Sequence, residues 1–111
     1  MKSIKKKPPK EKDIQLVICK YLELKGHFFW RQNTSPIFDT KTGFYRPMPK
    51  YSIKGLPDIV LIKDGVFWGL EVKRPGSKPS DDQLFFKKRC EESGAKYHIV
   101  HSLDDVTALN L

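Results

Sequence analysis

With 111 residues, 39% of them hydrophobic and 12% aromatic, the chain has the size and apolar content of one globular domain and no room for a second core. No run approaches the roughly 20 apolar residues of a membrane span, and the N-terminal lysines lead into no apolar signal segment, so an intracellular protein of a bacterium or a bacterial host is expected. The formal net charge of +8 attracts polyanions, but five of those eight net charges sit in the first twelve residues, where six lysines face the single acid Glu11.

Residues 1–8 read as a disordered basic tail and 9–111 as a single domain, because Pro8-Pro9 forbids helix upstream and supplies a helical φ downstream. Apolar Ile14, Val17, Ile18, Tyr21 and Leu22 then recur at helical spacing over about 10–25, with Gly26 as the stop. Residues 27–32 are aromatic-rich and read as a strand, and Trp30, like Trp68 further on, is expected in the core. Residues 33–54 hold three prolines, one glycine and no sustained period, which predicts a long loop carrying Lys41, Arg46, Lys50 and Lys54. Cys19 and Cys90 match no metal-ligand spacing and are expected as buried free thiols.

Two β-rich runs follow, 58–62 and 66–73, joined through Asp64-Gly65, the pair that suits a type I′ turn with φ > 0 at both centres. In that register Lys63 faces Val66 and, five pairs further along, Asp58 faces Glu71. Alternation then puts Asp58, Val60, Ile62, Phe67, Gly69, Glu71 and Lys73 on one face and Ile59, Leu61, Val66, Trp68, Leu70 and Val72 on the other, a wholly apolar set that must be core. Arg74-Pro75-Gly76 ends the second strand. Ser80 to Gln83 forms a capping box for a helix that runs to about 93 and stops at Gly94, residues 97–100 form a last strand, and Ser102 caps a short terminal helix. The order is helix, three strands, helix, strand and a final helical turn.

Directly opposed Asp58 and Glu71 would hold two carboxylates with Cβ atoms about 5 Å apart, a like-charge pair that weakens a sheet unless a cation offsets it. Hard oxygen donors at that spacing suit Mg²⁺ or Mn²⁺. Lys73, on the same face, is placed to orient a water or to neutralise charge building on a phosphate. Gly69 leaves a gap there for a backbone or ligand to approach.

Pro57-Asp58, twelve intervening residues and Glu71-Val72-Lys73 resemble the PD-(D/E)xK nuclease signature; with Gly55-Leu56, Gln83 and Gly94-Ala95-Lys96-Tyr97 added, the chain looks like the VRR-NUC branch from about residue 10 to 107. The resemblance implies an α/β, restriction-endonuclease-like fold, a mixed central sheet flanked by helices, that hydrolyses DNA phosphodiesters. It further implies a homodimer acting on branched DNA such as a four-way junction, a metal-facing acid on the first helix (Glu11 by position, with Glu23 the alternative) and a metal-ligating carbonyl of Val72. In that family the glutamine corresponding to Gln83 faces the site, which competes here with its place in the capping box unless the side chain turns from the cap. Arg31 and Asn33, the four loop cations and Arg74 are the expected DNA contacts. A flap or single-strand nuclease, and a non-catalytic basic DNA-binding protein on the same core, are the rival functions; the intact Asp58, Glu71 and Lys73 speak against the second.

Overall fold

The computed structural model describes residues 7–32 and 38–111, so most of the expected tail and the candidate DNA contact Asn33 lie outside the described residues. In chain order the elements are α1 (Glu11–Leu24), β1 (Phe28–Arg31), β2 (Phe38–Asp39), β3 (Phe44–Tyr45), β4 (Ile59–Lys63), β5 (Val66–Val72), α2 (Asp81–Glu92), β6 (Lys96–Val100) and α3 (Leu103–Thr107). The main sheet has the order β1-β4-β5-β6. Its first three strands are antiparallel and β6 runs parallel to β5, the return being made through α2.

The expected apolar face of the β4–β5 hairpin is the core. Ile59, Leu61, Trp68, Leu70 and Val72 pack against Ile14, Ile18 and Leu22 of α1, and Val100, Val106 and Leu111 close the end. Tyr21 joins them by donating its hydroxyl to the Leu111 carbonyl at 2.6 Å. The helical stripe is narrower than its sequence pattern suggests: Val17, about 100° round the helix from Ile18, is 52% exposed. Both cysteines are free but only half-buried.

The long loop is not featureless, because β2 and β3 pair within it as a small separate hairpin. Asp39 makes its turn, accepting from Lys41 N on its carboxylate (2.9 Å) and from Gly43 N on its carbonyl (2.9 Å), with Gly43 at φ +75°. Strands of two residues show no alternation of buried and exposed positions, which removes the signal that sequence patterning relies on. No helix among the described residues is long and apolar enough to cross a membrane.

Candidate active site

The turn decides the geometry. Asp64 (φ +52°) and Gly65 (φ +74°) both take positive φ, and the ladder runs in the expected register from Lys63 opposite Val66 to Ile59 opposite Leu70. On the other side of β4, Gln32 N donates to the Asp58 carbonyl at 2.8 Å, extending the β1–β4 pairing by one position. The face away from α1 therefore carries parallel rows of side chains. One row is Gln32, Asp58 and Glu71; the next is Trp30, Val60, Gly69 and Tyr97; a third is Phe28, Ile62 and Phe67.

In the first row, Asp58 Oδ2 accepts from the backbone N–H of Val72 at 2.9 Å, which fixes the carboxylate across the open end of the hairpin. A residue in extended backbone sends its N–H and C=O out on the same strand edge, so the Val72 carbonyl also faces Asp58. Glu71 is buried, at 4% exposure. Its Oε1 accepts from Gln83 Nε2 at 2.8 Å and lies 3.9 Å from Lys73 Nζ. Its Oε2 is buried without a hydrogen-bonding partner. Burial, then the charge and hydrogen bonding of Asp58, push the Glu71 carboxyl well above the usual range, against a smaller opposing pull from Lys73.

An orphaned carboxylate oxygen beside a second carboxylate is what a divalent cation would satisfy, and the oxygen donors of Asp58, Glu71 and the Val72 carbonyl fit a hard ion such as Mg²⁺ or Mn²⁺. Glu11 does not complete that set: among the described residues no three His, Cys, Asp or Glu side chains gather where they could hold a metal. Arg31 is placed apart from it as well, paired with core residue Ile59 on the α1 side and donating to Gln15 Oε1 at 3.1 Å. Lys41, Arg46, Lys50, Lys54 and Arg74 are exposed; Lys50 Nζ rests 5.1 Å from the centre of the Tyr51 ring.

Three expectations change on contact with neighbouring chain. Gln83 needs no choice between cap and site, since its amide has two ends: Oε1 accepts from Ser80 N at 2.8 Å in the capping box while Nε2 reaches Glu71. The space at Gly69 is filled by protein, because a Cβ there would stand 2.9 Å from Pro57 Cγ and 3.0 Å from Tyr97 Cδ2. Trp30 lies at the outer edge of the face that carries Asp58 and Glu71, 40% exposed, while Trp68 is buried as expected.

Tyr97, present in the sequence reading only as part of the family string, is not among the expected site residues. It is buried against Phe86 of α2, and burial together with the charges of Glu71 and Asp58 raises its phenol. Gly55 is equally constrained, at φ +84° and so close to α2 that a Cβ would meet the Asp82 carbonyl oxygen at 2.3 Å. This contact seats the Gly55–Asp58 segment on the N-terminus of the helix that carries Gln83.

No protein-family pattern matches the sequence, and no curated protein matches it. Among solved structures, one described as a VRR_NUC domain is similar at 26% identity and a TM-score of 0.63, covering 89% of this chain and 91% of that one. A second, described as a VRR_NUC domain protein, shares the fold at 18% identity and a TM-score of 0.61, covering 93% and 86%.

Proposed function

We propose, from the similarity to a solved VRR_NUC domain at 26% identity over 89% of the chain, that this protein is a VRR-NUC nuclease: a metal-dependent endonuclease of the PD-(D/E)xK type that hydrolyses DNA phosphodiester bonds. The observation that carries this reading is the unpartnered, buried Oε2 of Glu71 beside Asp58, with Lys73 at the other oxygen. A bound Mg²⁺ or Mn²⁺ would supply Lewis-acid stabilisation of the phosphate and a more acidic water.

The protein's own groups prepare that chemistry. The Val72 N–H holds Asp58 in one orientation, and Gln83 holds Glu71 by Oε1 so that Oε2 stays directed at the site. Lys73 Nζ lies 3.9 Å from Glu71 Oε1; it positions the reacting phosphate and offsets negative charge as the bond breaks. The exposed cations at positions 41, 46, 50, 54 and 74 hold flanking phosphates, contacts that orient a duplex without reading its sequence.

Phosphate contacts carry no sequence information directly, so selectivity for DNA structure is assigned to assembly. A two-fold homodimer presents two such sites and suits a branched, nearly symmetric substrate such as a four-way junction. The test is cleavage of junction, flap and linear duplex in Mg²⁺, with light scattering for the oligomer. The expected result is junction cutting by a dimer, abolished by EDTA and by Lys73→Met with binding retained. Equal cutting of all three substrates removes junction selectivity, and undiminished cutting by Lys73→Met removes the assigned site.

A further inference from the structure

Trp30 and Phe28 sit on the same sheet face as Asp58 and Glu71, in the rows directly behind them. Trp30 is diagonal to Asp58 across β1 and β4, a relation that spans about 7–8 Å between Cα atoms and lies within reach of an aromatic side chain. Both aromatics keep much of their surface open to solvent, 40% for Trp30 and 69% for Phe28.

The pair is nevertheless held in place. The two rings lie 5.7 Å apart, tilted by 51°. Trp30 Nε1 donates to Gln32 Oε1 at 3.0 Å, and Gln32 is itself tied through its backbone N–H to the Asp58 carbonyl. The indole's one polar group is thus satisfied within the protein, by a residue whose backbone is tied to that of Asp58.

We propose that Phe28 and Trp30 form a shelf on which one unpaired nucleobase, next to the phosphate held at Asp58 and Glu71, stacks. The proposal rests on the nuclease reading and names the substrate it favours: DNA with unpaired nucleotides at the cut, as at a fork, flap or opened branch point. A base offers the flat apolar face that an indole takes. A second copy of the chain seated on the shelf would stand about 7–8 Å from Asp58 and block the site it is meant to serve, which favours the nucleotide as occupant.

The test uses the Trp68→Phe variant of this 111-residue chain, which keeps Trp30 as its one tryptophan, and a forked DNA with single-stranded arms, in EDTA. Saturable quenching of Trp30 emission by the fork, and not by a fully paired duplex of the same length, is expected. Trp30→Ala should weaken fork binding by about 5- to 150-fold, raise KM more than it lowers kcat in Mg²⁺, and leave duplex binding unchanged; Trp30→Phe should restore most of the loss. Equal fork binding by wild type and Trp30→Ala overturns the shelf, as does loss of a dimer in Trp30→Ala, which would make the surface an interface between copies. If wild type cuts no DNA with any divalent metal, the nuclease reading fails while the quenching still scores the shelf. If wild type cuts but no quenching occurs, the shelf alone fails.

Discussion

The two faces of the β4–β5 hairpin share one backbone and one register, yet they do opposite work. Toward α1 the hairpin buries Ile59, Leu61, Trp68, Leu70 and Val72, and the one charged side chain on that face, Lys63 at the turn end, donates to the Asn110 carbonyl at 3.1 Å. Toward α2 the same strands bury a carboxylate with a free oxygen beside a second acid. Burying an uncompensated charge opposes folding, so the α1 face supplies stability that the α2 face partly consumes. A site held this rigidly in an unfavourable state is poised to gain from a cation.

Adjacent residues give the sharpest way to break that contrast. Glu71→Gln should lower cleavage by at least about 10³-fold, roughly 4 kcal/mol of transition-state stabilisation, without loss of the fold by circular dichroism. Its neighbour Leu70→Ala, fully buried on the α1 side, should instead cost about 2–5 kcal/mol in urea unfolding. If both variants lost stability alike, the two faces would not be specialised. Gly69→Ala tests the packing of the α2 face itself: the added methyl meets Pro57 and Tyr97, and overpacking of this kind costs about 1–3 kcal/mol.

Acid–base linkage separates the faces further. Without divalent metal, Glu71 is pushed from an ordinary 4.5 to about 8. Below pH 4.5 it is protonated whether the chain is folded or not. Between 4.5 and 8 the folded chain keeps a proton that the unfolded chain has released, so stability falls as pH rises across that window. Urea midpoints at pH 5 and pH 8 should show this decline in wild type, and a shallower one in Glu71→Gln or with Mg²⁺ added. The smallest effect is expected from Ser80→Ala, which removes one side of the cap at about 1 kcal/mol and leaves Gln83 able to hold Glu71, so cleavage should persist.

What could be read from the sequence follows the same division. The Asp64-Gly65 turn and strict alternation are local rules, and they suffice to set Asp58 against Glu71 and to assign the apolar set to the core. Features made by distant chain left no such trace. Tyr97 arrives through the parallel return of β6, Pro57 fills the notch at Gly69, and Gln83 reaches two partners because α2 crosses above Glu71. The exposure of Trp30 is the clearest case. An aromatic run predicts a strand, but whether its outer face is covered depends on what packs there, and α2 and the Gly55–Asp58 segment gather over the β5–β6 side instead.

The central claim is that Asp58 and Glu71 together hold a divalent metal, and Mn²⁺ can be located directly by its anomalous scattering in crystals of the protein. The expected result is a peak ligated by Asp58, Glu71 Oε2 and the Val72 carbonyl, absent in Glu71→Gln. Mn²⁺ bound elsewhere on a chain that cleaves DNA, with Glu71 Oε2 still unpartnered, would contradict the account.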